Sequence, residues 1–428
     1  MSDTTITKVK ARQVWDSRGR PTVEAEVWLA AGAVGRAIAP AGASRGTHEA
    51  VDLRDGGSAL GGMGVAKAVA HVNGEIARAL EGRNAGRQAE LDDALIALDG
   101  TPNKSRLGGN AMIAVSMAAL HATAGAQRMP LWRYLAQGAD VALPLPEIQI
   151  FGGGAHAGRR VDIQDFMVMA LAAGSFAEAL STTAEVYRAA GELMREAGRL
   201  QGVADEGGYW PAFESNEDAL TMLTRAIERA GYTPGQDVGI SLDIAASEFG
   251  REGRYRLGLE GRELDSDGLC ELLLGWLDRY AIVSVEDPLA EDDAAGMRRF
   301  TAAAGSRVQV IGDDFLVTSA PRVKDASASR ACNAVLIKPN QAGTVTETRA
   351  ALLAGKAAGF GTIVSARSGE TEDTTIVHLA VGWNAGQLKV GSFTRSERMA
   401  KWNEALRIEE ALGGKARFAG RRALPGQR

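Results

Sequence analysis

The sequence predicts an α/β protein of two domains, a small α+β domain over residues 1–137 and a (β/α)8-type barrel over 138–428. Three observations lead there. At 428 residues the chain exceeds what one ordinary hydrophobic core supports. Its first third passes from alternating strand patterns to helical ones, the order of an α+β unit. The remainder repeats short β-rich runs separated by helical stretches. That order belongs to parallel strands joined by crossover helices, and this many units point to a closed barrel.

Taken in order, Thr22-Val23-Glu24-Ala25-Glu26-Val27-Trp28 alternates with period two and reads as an antiparallel strand with one exposed face. Helical spacing follows over 64–80, 88–98 and 110–128. Val141-Ala142-Leu143-Pro144-Leu145-Pro146 reads as an extended linker stiffened by its prolines. The barrel runs are 239–243, 282–286, 308–313, 334–338, 362–365 and 387–389. Nearly all end on a charged or polar residue. In (β/α)8 barrels the active site lies at the C-terminal strand ends, so these residues should converge on one mouth. A single polar strand end marks only where a strand stops; a whole series favours a site. The stretch from Phe418 to Arg428 is polar and is expected to fray in solvent.

Composition removes several classes of function. With 45% hydrophobic and 24% charged residues the chain reads as globular. It has no apolar run of about 18 residues to cross a membrane. The opening Met1-Ser2-Asp3-Thr4-Thr5 lacks the basic start and apolar stretch of a signal peptide. Cys270 and Cys332 are the only cysteines, which fits a reducing cytoplasm rather than a disulfide framework. A net charge of −5 without a basic block gives no pull toward nucleic acid. His48, His71, His121, His156 and His378 show no metal-ligand spacing, so a metal here is expected to be oxygen-bound and hard.

Asp243, Glu286 and Asp313 end three successive strands. Crowded carboxylates raise one another's pKa values. A divalent cation relieves the conflict, and an all-oxygen set suits Mg²⁺ or Mn²⁺ better than Zn²⁺; the alternative is neutralisation by Arg or Lys. Lys338 and Lys389 end later strands. Metal plus lysine is an arrangement for removing a proton α to a carboxylate, the metal stabilising the enediolate and lysine taking the proton.

From end to end the chain resembles the enolase family (phosphopyruvate hydratases). The resemblance rests on Asp16-Ser17-Arg18-Gly19, Gly42-Ala43-Ser44, Leu98-Asp99-Gly100-Thr101, His156-Ala157-Gly158, Asp205-Glu206-Gly207-Gly208 and Ser284-Val285-Glu286-Asp287-Pro288. It continues through Gly312-Asp313-Asp314, Lys338-Pro339-Asn340-Gln341, the run Arg367-Ser368-Gly369-Glu370-Thr371-Glu372-Asp373, and Arg395-Ser396-Glu397-Arg398. It implies an enolase-type barrel behind an N-terminal capping domain with a mobile loop, and a small phosphorylated carboxylate as substrate. By the same resemblance Asp243, Glu286 and Asp313 would bind one Mg²⁺, and Ser44 would close over the site and help bind a second with the phosphoryl group. Lys338 would be the base at C2, Lys389 would hold the substrate carboxylate, and Glu206 would help the C3 hydroxyl leave as water. Arg367 and Ser368 would grip phosphoryl oxygens, with His156 and Gln164 lining the pocket. Enolases are homodimers or octamers, and the resemblance implies the same here.

The departures from the family gather at the site. Its Gln-Glu-Phe is Gln164-Asp165-Phe166 here, which shortens an acid by one methylene, a reach of about 1.5 Å. A misplacement of about 1 Å can cost on the order of a hundredfold in rate. Ser-His-Arg-Ser has become Ser365-Ala366-Arg367-Ser368, Gly-Ala-Ser-Thr-Gly has become Gly42-Ala43-Ser44-Arg45-Gly46, and Asn-Gly-Gly-Ser-His has become Gly152-Gly153-Gly154-Ala155-His156. Three functions follow as alternatives. One is dehydration of 2-phosphoglycerate, as in glycolysis. Another is a carboxyphosphonoenolpyruvate synthase-like step of phosphinate antibiotic biosynthesis, with Ala366 making room for an enlarged phosphoryl group and Arg45 pairing with it. The third is a non-catalytic binding paralogue.

Overall fold

A computed structural model describes residues 3–425; Met1, Ser2 and the last three residues of the tail lie outside the described residues. The first domain opens with an antiparallel sheet of β1 (Ile6–Trp15), β2 (Pro21–Leu29) and β3 (Val34–Ile38). β2 is covered on both faces rather than one. Glu24, expected at the surface, is buried and pairs with Arg12, with Arg36 3.6 Å away. The pair lets a period-two strand bury its polar face as well. After a helical stretch over 66–80 come α1 (Gln88–Asp99) and α2 (Gly109–Ala126). α2 is Ala-rich and buried on nearly every side, as a helix that is apolar all round must be. It lies against β2 and β3 and also touches the second domain.

Eight strands close the barrel in chain order: β4 (Leu145–Gly152), β5 (Asp165–Ala170), β6 (Val238–Asp243), β7 (Ile282–Glu286), β8 (Gln309–Gly312), β9 (Ala334–Ile337), β10 (Gly361–Ser365) and β11 (Gly386–Ser392). The expected parallel order holds except at β5, which runs antiparallel to β4 and β6. The connection from β4 to β5 holds only the short 3₁₀ turn Gly154–Ala157, and a parallel return needs a crossover element. Helices Phe176–Glu196 and Asn216–Arg229 then both precede β6. The expected linker is partly strand. Leu145 and Pro146 open β4, and Leu143 bonds to the C-terminal segment through Arg417 O (2.7 Å) and Ala419 N (2.9 Å). That segment is not frayed up to residue 425: a 3₁₀ turn spans Gly420–Ala423, and Leu424 is buried against Leu145, Met169 and Val283. An apolar anchor outweighs the tail's polar composition.

The domains are joined at α3 (Val345–Ala357), a barrel helix capped by its own Thr344, whose hydroxyl accepts from Glu347 N, and bonded at its first two N–H groups from the other domain. Asp92 of α1 accepts from Thr346 N (2.9 Å), and Ser116 Oγ of α2 accepts from Val345 N (3.0 Å) and donates to Asp92 (2.6 Å). Two orphan helix N–H groups are thereby satisfied. No helix among the described residues is long and apolar enough to cross a membrane.

Candidate active site

The strand ends do converge. Asp243 and Glu286 are the last residues of β6 and β7, Asp313 and Lys338 directly follow β8 and β9, and Lys389 stands within β11. All five are buried. Gln164 and Asp165 reach the same mouth from the start of β5, because an antiparallel strand presents its N-terminal end there.

Opposite charges interleave. Lys389 Nζ donates to Asp243 Oδ2 (2.9 Å) and Glu286 Oε2 (2.8 Å). Lys338 Nζ donates to Asp313 Oδ2, whose other oxygen accepts from Gln341 Nε2 at 2.9 Å. Gln164 Nε2 donates to Asp243 Oδ2 at 3.0 Å. Burial, reinforced by Asp243, holds the Glu286 carboxyl well above the ordinary carboxylate range. Burial pulls both lysines down, but Asp313 more than restores Lys338, and Asp243 with Glu286 drives Lys389 well above its usual value. These contacts therefore raise Lys338 rather than lower it, with Asp313 the chief cause.

The donor set suits a hard cation. Asp243, Glu286 and Asp313 offer only oxygen, and Glu286 Oε1 is buried with no hydrogen-bond partner among the described residues. Such an orphan oxygen is costly unless a cation or proton meets it. Asp287 and Asp314 also stand close enough to Asp313 to share a cation, although the two Asp287 oxygens already accept from Asp313 N (2.9 Å) and Asp314 N (2.7 Å) and so fix the turn that carries Asp313.

A second group faces it. His156 Nδ1 lies 3.0 Å from Asp165 Oδ1 and its Nε2 3.7 Å from Glu206 Oε1. Burial pulls the imidazole down, but Asp165 and Glu206 outweigh it and lift its pKa to about 9. Asp165 is held below the usual carboxylate range against its burial by His156 and Lys389. His156 thus stands between two carboxylates.

The third part is the clamp after β10. Arg367 is buried, its Nη1 donating to Glu49 Oε2 (3.0 Å) and Asn340 Oδ1 (3.1 Å) and its Nη2 to Ser44 O (2.8 Å). Ser368 Oγ accepts from Ala43 N at 2.6 Å, and Arg398 holds the turn through the carbonyls of Arg367 (2.7 Å) and Ser368 (2.6 Å). Ser44 lines the cavity but is bonded to Arg367 rather than to the three carboxylates. The space these residues line is only about 20 Å³ in this structure, room for about one water.

Ala366 lines this cavity. Arg45 does not. Its side chain is 48% exposed and 3.9 Å from Asp52 Oδ2, because Ser44 and Gly46 turn inward on either side of it. Sequence reasoning passed over Glu49, which ties the loop to Arg367, and Gln149, which donates to Asp165. A glutamine inside the apolar run Ile148-Gln149-Ile150 was the available signal for the latter.

Two family models match this chain: "Enolase, N-terminal domain" over residues 6–135 and "Enolase, C-terminal TIM barrel domain" over residues 140–426. Among curated proteins, it is similar to Enolase 1 of Desulfitobacterium hafniense (strain Y51). The two are 51% identical over 416 residues, covering 96% of this chain and 95% of that protein.

Proposed function

The chain belongs to the enolase family, and we propose that it dehydrates 2-phosphoglycerate, or a close analogue, to a phosphoenolpyruvate-type product. The observation that carries this reading is a pair of buried lysines, Lys338 and Lys389, set among Asp243, Glu286 and Asp313 at one barrel mouth. Lys338, once neutral, takes the C2 proton; the C2–H electron pair passes into the carboxylate as an enediolate, whose charge Lys389 offsets. The pair then returns to form C2=C3 as the C3–O bond breaks, and the hydroxyl leaves as water with a proton from the His156–Glu206 side. Mg²⁺, held by Asp243, Glu286 and Asp313, would supply charge stabilisation to that enediolate. Arg367 and Ser368, released from the loop, would take the phosphoryl oxygens.

The test is turnover of 2-phosphoglycerate with Mg²⁺, followed by the ultraviolet absorbance of the enol product. A chelator-sensitive rate in the range of roughly 1–10³ s⁻¹ supports the reading. Absence of both product and C2 proton exchange refutes it.

A substrate with an enlarged phosphoryl group remains the second reading, favoured by Ala366 on the cavity wall. The placement of Arg45 against Asp52 gives the other half of that idea no support. Ala366→His, alone or with Arg45→Thr, should raise activity on 2-phosphoglycerate if the space matters; no gain removes this reading. A non-catalytic role sits poorly with so many buried charges, whose desolvation a mere scaffold has no reason to bear.

A further inference from the structure

We propose that Gln149 is a positioning residue that ties Asp165 to the Glu206 loop and decides which oxygen of Asp165 faces the substrate. The inference rests on the dehydration reading above.

Gln149 is fully buried on β4, and both ends of its amide are used. Its Nε2 donates to Asp165 Oδ1, and its Oε1 accepts from Gly208 N at 2.8 Å. The strand register slips between Gln149 and Phe151, an irregularity of the kind that re-aims a side chain near a site. Two glycines wall the slot the amide occupies. A Cβ at Gly208 would stand 2.5 Å from Gln149 Oε1, and one at Gly152 would stand 2.7 Å from Ala204 Cβ and 3.2 Å from either amide atom. The surrounding backbone thus leaves room for this amide and little else.

Asp165 Oδ1 accepts from Gln149 and contacts His156 Nδ1, whereas Oδ2 has no hydrogen-bond partner among the described residues and lies 3.6 Å from Lys389 Nζ. Oδ2 is therefore the oxygen left for the reaction. An aspartate is too short to find its place by reach alone, and the Gln149 bond fixes its carboxylate plane. The other end of the same amide holds Gly208, two residues beyond Glu206, while Asp205 N donates to His156 O at 3.0 Å. One side chain thereby sets Asp165 and the Glu206 loop in a common frame. Among the described residues Lys338 and its partner Asp313 make no hydrogen bond to it, so the first proton transfer should depend on Gln149 far less than the departure of the hydroxyl does.

Two variants separate the arms. Gln149→Met keeps the length and removes both bonds. Gln149→Glu keeps an acceptor for Gly208 N but turns a second acceptor toward Asp165. With Mg²⁺ and 2-phosphoglycerate in D₂O, both should lose elimination by about a hundredfold while C2 exchange stays within about threefold of the parent. Elimination and exchange falling together would show a merely structural role, and unchanged elimination would overturn the inference. Amide exchange at Gly208 gives a readout that needs no turnover. It should speed up by about tenfold or more in Gln149→Met and stay protected in Gln149→Glu. If the parent neither exchanges nor eliminates, the functional reading fails by itself. The Gly208 pattern then still decides the tether: loss in the methionine variant upholds it, and unchanged protection there refutes it.

Discussion

Replacing Gly42 with alanine asks how tightly the loop must fit the clamp. The added Cβ would stand 1.9 Å from Arg367 Nη2 and 2.6 Å from Ser44 O. Ordinary contact begins at about 3.5 Å, so against the 1.9 Å separation from Arg367 something must give by about 1.5 Å. The guanidinium cannot yield freely, because Glu49, Asn340 and the Ser44 carbonyl hold it from several sides. The loop has to move instead, taking Ser44 away from the cavity. A displacement of about 1 Å in a positioning element can cost on the order of a hundredfold, so kcat for Gly42→Ala should fall by about that factor. Unfolding should become easier by about 1–3 kcal/mol, the usual cost of forcing extra volume into a tight site. Steady-state kinetics beside a thermal melt reads both quantities. A variant with kcat within about threefold of the parent would refute the reasoning, since it would mean the loop and Arg367 are not in register during turnover.

Three other outcomes are expected. Lys338→Ala should abolish C2 proton exchange, a loss of roughly 10²–10⁴-fold for a general base, whereas exchange surviving in the variant would assign the base elsewhere. Mg²⁺ at about a hundred times its Kd should stabilise the protein by about 2.7 kcal/mol. Glu286→Gln, which changes the carboxylate holding the orphan oxygen, should remove most of that gain in a melt with and without chelator. His156 is raised to about 9 from an ordinary 6.5, so its charged form stabilises the fold. That contribution is whole below about pH 6.5 and lost as pH rises through about 9. Melts between about pH 6 and pH 10 should show Tm falling across that window, less steeply in His156→Gln; an equal slope in both would assign the loss to other groups.

Most of the barrel could be read from sequence because β6 to β11 are local events: short β-branched runs that stop at a polar residue. β5 could not, since its direction depends on what joins it to β4, and 153–164 carries no periodic signal. The same fact hid how Gln164 and Asp165 reach the mouth, for the rule about C-terminal strand ends points the wrong way on an antiparallel strand. Asp243, Glu286, Asp313, Lys338 and Lys389 were legible as ionisable strand ends, and residue type was enough to bring them forward. Arg45 was misplaced because sequence neighbours on a tight loop face opposite ways. Glu49 and Gln149 were missed because their importance lies in partners far along the chain: Arg367 is 318 residues from Glu49, and Gly208 is 59 from Gln149.

The bonds that Asp92 and Ser116 make to the first N–H groups of α3 have a consequence for synthesis. Ser116 precedes its partner Val345 by 229 residues, and Asp92 precedes Thr346 by 254. At roughly 5–20 residues per second, translation leaves the earlier groups waiting for roughly 10–50 s. Throughout that interval α2, apolar on nearly every side, is already outside the ribosome with its own domain (β2, β3, α1 and the 66–80 stretch) to lie against but without the barrel segments at 339–342 and in α3 that touch it in the finished protein. A nascent chain therefore carries a helix left open along its barrel-facing side until the last third of the barrel is made. Slow codons placed between the two halves would lengthen that exposure and favour aggregation, whereas the finished chain, refolding from denaturant with every partner present, is spared the wait.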